Sequence, residues 1–261
     1  LSGLLTDASP KEAKYIMRIV TGKMRLGIAD MTIIDALSQA FAGGKKEDVE
    51  IAYNMTSDLG EIAKALSKSG MEGIKEYRVK VGRPVRMMLA QRMNSVKEIV
   101  EKTGMAICEY KYDGERIQIH KKGNKIELFS RNLENITLQY PDVIKLAVAN
   151  IKVEKAIVEG ECVAVDSDTG YMLPFQELMH RRRKYDIEDK AIEFPVHVYL
   201  FDALLIDDED MMTKGLLERR NILKNSIIET DNFKLSHAMI SDNVVEIEKF
   251  FESSIENGCE G

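Results

Sequence analysis

Glu109-Tyr110-Lys111-Tyr112-Asp113-Gly114-Glu115-Arg116 runs without a break into the alternating stretch ERIQIH (115–120). After Lys122-Gly123-Asn124 the chain resumes as KIELFS (125–130). Apolar and polar residues alternate with a period of two in both stretches, the pattern of strands that bury one face. A glycine between two such stretches marks a hairpin. A charged loop carrying one lysine therefore feeds an antiparallel sheet.

Further strands and helices follow. AIVEGECVAVD (156–166) reads as a strand whose period of two puts Glu159 and Glu161 on one face. FPVHVYLFDALLID (194–207) reads as a buried strand, and helical stretches are expected at SVKEIVEKTG (95–104), FQELMHRRR (175–183), GLLERRNILKNSI (215–227) and VVEIEKFFESSIENG (244–258). Upstream the texture is different. PKEAKYIMRIV (10–20) opens with Pro and Glu at helix-starting positions and spaces its apolar residues helically. IIDALSQAFA (33–42) repeats that pattern, and VEIAYNMTSDLGEIAKAL (49–66) supplies one more helix, or two broken near Ser57-Asp58. From Tyr77, YRVKVGRPVRMMLAQR reads as a link into a new domain. The expected class is α+β: an all-helical part over 1–78, then an antiparallel-sheet-rich part over 79–261.

Composition excludes several classes. The net charge is −6, with 44% hydrophobic and 31% charged residues, an ordinary globular balance. Residues 1–120 carry a net +3 and the remainder −9, so local patches matter more than the total. No run reaches the roughly 18 apolar residues of a membrane span, and the N-terminus lacks a secretory pattern, so a cytoplasmic setting is expected, or a nuclear one in a eukaryote. Cys108, Cys162 and Cys259 are too few for a disulfide framework, and the four histidines show no i, i+4 pair, so no structural metal is expected.

The chemistry centres on Lys111. A lysine that attacks a phosphate must be neutral, whereas a free lysine titrates near ~10.4. Burial and nearby cations such as Arg116 would favour the neutral amine, and Asp113-Gly114 is expected to make a tight turn that folds Arg116 back beside it. The octapeptide fits E-x-K-x-D-G-x-R and so resembles the nucleotidyl-transfer signature of DNA ligases and mRNA capping enzymes. Other segments resemble the later motifs of that family in its order: Ser130-Arg131; Glu159-Gly160-Glu161-Cys162-Val163-Ala164; Val198-Tyr199-Leu200-Phe201-Asp202; and Glu260-Gly261. PKEAKYIMRIVTGKMRLGI looks like the helical DNA-binding domain of archaeal and eukaryotic ATP-dependent DNA ligases. GRPVRMMLAQR matches the family's opening of the catalytic domain, except that Met87 stands where a proline is usual.

The resemblance implies an ATP-grasp-like nucleotidyltransferase (adenylation) domain that seals nicks in duplex DNA, with Lys111 covalently adenylated by ATP. It implies that Glu109 recognises adenine, that Arg131 and Glu161 hold the ribose, that Phe201 stacks on the base and that Arg116 contacts phosphate or ribose. It further implies Mg2+ on Glu161 and Glu260, a monomer, and a sliding clamp engaged through an N-terminal part that this chain lacks. Lys11, Lys14 and Arg18 share a helix face, and Lys23 and Arg25 precede Gly27, whose backbone could approach a phosphate closely; these fit a DNA backbone, as could Arg181-Arg182-Arg183-Lys184. The start at Leu1 and the stop after Asn257-Gly258 suggest a fragment without its OB-fold domain, expected to bind nucleotide weakly and seal poorly. Two other readings stay open. An RNA-capping or RNA-ligating enzyme would prefer GTP or RNA ends, and a non-catalytic DNA-binding module would label no lysine.

Overall fold

A computed structural model describes residues 1–22, 28–181 and 187–261, and its contacts divide the chain into two units, Leu1–Tyr77 and Arg78–Gly261. In the first unit α1 (Ser2–Asp7), α2 (Pro10–Val20), α3 (Asp30–Phe41), α4 (Lys46–Thr56) and α5 (Leu59–Ser69) follow in order. Sequence chemistry sets the helix ends. Ser9 and Glu12 form a reciprocal capping box at the start of α2, with Pro10 at its first position. Between α4 and α5 the break expected near Ser57-Asp58 is real: Ser57 takes φ +55°, and the Asp58 side chain accepts the Glu61 N–H to cap α5. Ile34, Val49, Ala52, Ile62, Leu66 and Ile74 form the core of this unit, and the Tyr53 hydroxyl ties α4 to Asp30 of α3 at 2.7 Å. α2 buries no residue of its own.

The second unit contains α6 (Val96–Thr103), β1 (Ala106–Glu109), β2 (Glu115–Lys122), β3 (Lys125–Ser130), α7 (Pro141–Asn150), β4 (Lys155–Ala164), α8 (Phe175–Leu178), α9 (Ile187–Glu193), β5 (Val196–Ile206), β6 (Glu209–Asp210), α10 (Leu216–Ser226), β7 (Phe233–Leu235), β8 (Ala238–Ser241) and α11 (Val244–Glu256). The main sheet runs β3-β2-β4-β5-β6, antiparallel throughout, with β7 added parallel to β5; β1 and β8 form a separate antiparallel pair. The expected class, mixed helix and antiparallel sheet, is the one observed. The two residues Gly123-Asn124 close the β2–β3 hairpin, with Gly123 at φ +59°.

Period-two alternation makes the sheet two-faced. Ile117, Ile119, Val158, Cys162, Val198 and Leu200 turn toward α7 and α10 and are fully buried with Tyr140, Ala147, Leu223 and Phe233. Each such side chain contributes about 1.5–3 kcal/mol. Arg116, Gln118 and His120 of β2 occupy the other face, and the register sets Arg116 opposite Glu161 and Gln118 opposite Glu159.

Several elements depart from expectation, among them α1, α9, β7 and β8, which were not foreseen. α7, with Pro141 at its first position, was not foreseen, because PDVIKLAVAN is too apolar to show a period. The helix expected over 175–183 shrinks to α8 and a 3-10 turn, Met179–Arg181, and Arg182 to Lys184 lie outside the described residues. The stretch at 78–92, read as a link, forms neither helix nor strand, and the Val85 N–H and C=O both bond the Gln118 side-chain amide.

Candidate active site

Lys111 is held by its own backbone. Its N–H donates to the Gly261 carbonyl at 2.7 Å, and its carbonyl accepts the Glu260 N–H at 2.8 Å. One residue earlier, the Tyr110 N–H donates to His237 O at 3.1 Å. The chain on either side of the lysine is therefore fixed by strand-like bonds to two distant segments. Alternation sends Tyr110 and Tyr112 to the opposite side from Lys111. Tyr112 stacks on Tyr199 at 3.9 Å with 9° between planes, and its hydroxyl accepts the His237 N–H at 3.0 Å. Burial raises the Tyr112 phenol far above its ordinary range.

The burial expected at Lys111 is not found. Its side chain is 70% exposed, and its ammonium pairs with Glu260. The chain bends at Asp113-Gly114; Gly114 is not one of the positive-φ glycines, and its role is close approach. A Cβ there would lie 2.4 Å from the Cys162 carbonyl oxygen and 2.9 Å from Cγ of Glu161. The loop can lie against β4 only because residue 114 has no side chain.

Arg116 opens β2 beside this loop. Its Nη2 donates to Glu159 at 2.6 Å, and its guanidinium carbon sits 4.9 Å from the centroid of Phe201. Arg116 Nε is buried without a hydrogen-bond partner among the described residues, a donor available to an anionic ligand. Glu159, 5% exposed, also accepts from Gln118 Nε2 at 3.1 Å. Gln118 Oε1 receives both the Val85 N–H and His120 Nε2, at 2.8 Å each, while His120 Nδ1 accepts the Gly82 N–H at 2.9 Å. These bonds specify a neutral His120, and burial pushes its imidazole down to about 3. A continuous buried chain of hydrogen bonds thus links the backbone at 82–85 to Arg116.

Phe201 owes its place to a β-bulge. Gly160 pairs with Leu200 but Glu159 with Asp202, so Phe201 is the extra residue on β5. Gly160 permits the close strand contact, since a Cβ would lie 2.8 Å from the Tyr199 carbonyl oxygen. Glu161, the neighbour of Tyr199 in the ladder, has its carboxyl raised to about 7, chiefly by burial and against the opposing pull of Arg116 and Lys111. Arg131 follows the Ser130 end of β3, exposed, on a cleft of about 310 Å³ shared with Arg86, Met87 and Leu89. A narrow crevice joins it to Arg116 and Glu159.

Glu109 is engaged on another side. Its carboxylate pairs with Arg220 of α10 and accepts the Ser236 hydroxyl at 2.7 Å. Of the expected residues, Arg116, Arg131 and Phe201 therefore meet around Glu159, and Lys111 meets Glu260.

The family model described as "ATP dependent DNA ligase domain" matches residues 87–261, two thirds of the chain, and one described as "DNA ligase N terminus" matches residues 1–38. The chain belongs to the ATP-dependent DNA ligase family. It is 53% identical over 264 residues to a DNA ligase of Sulfophobococcus zilligii and 54% identical over 264 residues to one of Staphylothermus marinus. All of this chain, but 44% of each relative, is covered, so the chain spans less than half the length of these curated relatives. It is also similar to the solved structure described as Pmar-Lig_PreS3, with a TM-score of 0.49 and 18% identity over 96% of this chain and 50% of that one.

In this ligase chain the donors suit a hard cation. Mg2+ is commonly held by one or two carboxylates, with phosphate and water completing the shell, and Glu161 and Glu260 are such carboxylates. Among the described residues no three His, Cys, Asp or Glu side chains gather as ligands, so the remaining positions would fall to nucleotide and water.

The basic positions divide. Lys11 and Lys14 are exposed and Arg18 half-buried on α2, with Arg18 lying 5.6 Å from the centroid of Tyr15. Lys23, Arg25 and Gly27 lie outside the described residues. Arg181 is corrected outright. It is 1% exposed, bonds Asp142 at 3.0 and 2.5 Å and lies over Tyr140 at 4.7 Å, so it is a structural cation rather than a DNA contact.

Sequence reasoning missed Gln118, His120, Arg219, Arg220 and Ser236. The first two were readable as polar residues alternating with Ile117 and Ile119 on the Arg116 face. Arg219 reaches Asp202 from 17 residues away, and Arg220 and Ser236 reach Glu109 across more than a hundred, which no local pattern reveals.

Proposed function

We propose that this chain carries the adenylation centre of a nick-sealing ATP-dependent DNA ligase, with residues 79–261 as most of the adenylation domain and residues 1–78 as the second half of a helical DNA-binding domain. Lys111 Nζ attacks the α-phosphate of ATP; the N–P bond forms as the bond to pyrophosphate breaks, leaving a lysyl phosphoramide of AMP. The 5′-phosphate of a nick then takes the AMP from the lysine, and the 3′-hydroxyl displaces it to close the phosphodiester.

Protein groups supply binding and proton handling. An ammonium cannot attack, so Lys111 must lose its proton, and Glu260 is the carboxylate in contact with Nζ. Arg116 offers its unpartnered Nε to phosphate or ribose, Arg131 and Glu161 hold the ribose, Phe201 stacks on adenine and Glu109 reads its edge. Mg2+ bound by Glu161 and Glu260 would neutralise charge on the phosphates.

The partner is nicked duplex DNA, bound by backbone contacts from Lys11, Lys14, Arg18, Lys23, Arg25 and Gly27. The protein acts as a monomer, in the cytoplasm or, in a eukaryote, the nucleus, and a sliding clamp is a further partner. No helix of the described residues is long and apolar enough to cross a membrane.

One observation carries this reading above the others: Lys111 is clamped by its backbone beside Glu260, on the side opposite the Tyr112–Tyr199 stack. The test is the intact mass of the full-length protein after incubation with ATP and Mg2+, for the wild type and Lys111→Ala. An AMP-sized gain confined to the wild type supports the proposal. No gain in wild type shown to be free of pre-bound AMP defeats it, and a gain from GTP in preference to ATP moves the reading to a capping-type enzyme.

A further inference from the structure

α10 presents two consecutive arginines to two segments that are far apart in sequence. Arg219 grips Asp202 with both ends of its guanidinium, Nε at 2.7 Å and Nη2 at 2.9 Å. Arg220 pairs with Glu109 and also donates to both oxygens of Ser236, Oγ at 3.0 Å and the carbonyl at 2.5 Å. The Ser236 N–H in turn donates to the Leu200 carbonyl at 2.7 Å. Phe201 is thus held from both neighbours, through Leu200 by Ser236 and through Asp202 by Arg219, while Glu109 is tied to the same helix.

Glu109 uses one oxygen for this. Arg220 and the Ser236 hydroxyl both bond Oε1, and Oε2 receives no donor among the described residues. The Glu109 side chain stays 29% exposed despite this fastening. A fixed carboxylate oxygen with a free lone pair accepts an amino N–H and repels a carbonyl oxygen. Adenine carries an amino group at C6, where guanine carries a carbonyl.

We infer that Arg220, with Ser236, is a positioning residue that aims Glu109 Oε2 at the exocyclic amine of the nucleotide and so enforces ATP over GTP, with Arg219 fixing the stacking ring to the same helix. The inference rests on the adenylation reading above.

The experiment measures lysine labelling of the full-length protein with ATP and with GTP for the wild type, Arg220→Gln, Arg220→Lys, Ser236→Ala and Glu109→Gln, each checked for native melting. Arg220→Gln is expected to raise KM for ATP about tenfold with kcat nearly kept, and to lower the ATP:GTP ratio of kcat/KM by about tenfold or more. Arg220→Lys should recover part of that ratio, and Ser236→Ala, the milder change, should lower it less. In Glu109→Gln, adding Arg220→Gln should change the ratio little further. A variant that is merely destabilised loses labelled fraction for both nucleotides together and keeps the ratio. An unchanged ratio in folded Arg220→Gln, or in Ser236→Ala if Arg220→Gln does not fold, overturns the inference alone. A wild type that takes neither nucleotide overturns the adenylation reading beneath it.

Discussion

Glu161 stands directly opposite Arg116 in the β2–β4 ladder, yet the Arg116 guanidinium turns along the face to Glu159 at 2.6 Å. Glu161 is left with burial as the dominant influence, and its carboxyl rises from an ordinary 4.5 to about 7. A raised carboxyl favours the protonated native state. The stability it gives is full below about pH 4.5 and is lost as pH climbs through about 7. Glu161→Gln removes this dependence, so it should exceed the wild type at pH 8 by on the order of 2–3 kcal/mol and match it near pH 4.5. Urea titrations without metal at both pH values measure this, and equal stabilities at pH 8 would show Glu161 to be solvated.

His120 has the opposite sign. Its imidazole is pushed from 6.5 down to about 3, so the native state requires the neutral ring. Stability from this group is full above pH 6.5 and falls as acid titrates the unfolded chain toward pH 3. The loss by pH 3 is on the order of 3–5 kcal/mol. His120→Gln cannot titrate and should flatten the acid limb of the stability curve. Acid unfolding followed by circular dichroism decides it, and a wild-type curve flat between pH 6 and pH 4 would count against the buried neutral ring.

Arg181 gives a third test. Its guanidinium is buried, its Nε has no partner among the described residues, and Asp142 depends on it for two hydrogen bonds. Arg181→Ala strands that carboxylate and should destabilise by about 3–5 kcal/mol, whereas Arg181→Met with Asp142→Leu should recover much of the loss. A nick-binding assay adds the functional arm: the double variant, once folded, should bind DNA as the wild type does.

How far the sequence carries can be judged from these same side chains. Strand alternation was enough to put Glu159 and Glu161 on one face; the same period in β2 groups Arg116, Gln118 and His120 once Ile117 and Ile119 are buried, and only the register joins the two sets. The break at Ser57-Asp58 was legible from cap chemistry. Arg181 was not legible, since a run of four cations looks solvated and only the partner Asp142, 39 residues away, turns one of them inward. α10 hid its role for the same reason. Arg219 and Arg220 are adjacent in sequence, but Asp202 and Glu109 lie on different segments, and only the packing of α10 on β5 brings them into reach. At Asp113-Gly114 the bend was legible but the contact with β4 was not, because composition cannot distinguish a glycine needed for φ from one needed for space.

That distinction makes the last prediction. If Gly114 served a left-handed turn, Asn would be the best substitute and Ala nearly as poor as Val. Gly114 has no positive φ, and the obstacle is the Cys162 carbonyl oxygen, 2.4 Å from where a Cβ would stand, which belongs to strand backbone and cannot swing aside. Every side chain should therefore fail, with Asn no better than Ala. Gly114→Ala must push the 111–114 loop off β4 and carry Lys111 away from Glu161, whose Cγ is the second atom met at 2.9 Å. Stability should fall by about 1–3 kcal/mol. The rate of lysine labelling by ATP should fall by about a hundredfold, because displacement of a nucleophile by about 1 Å is costly in an oriented site. Melting and single-turnover labelling of Gly114→Ala and Gly114→Asn together make the check. Asn clearly outperforming Ala would restore the turn explanation and remove close strand contact as the reason for glycine at 114.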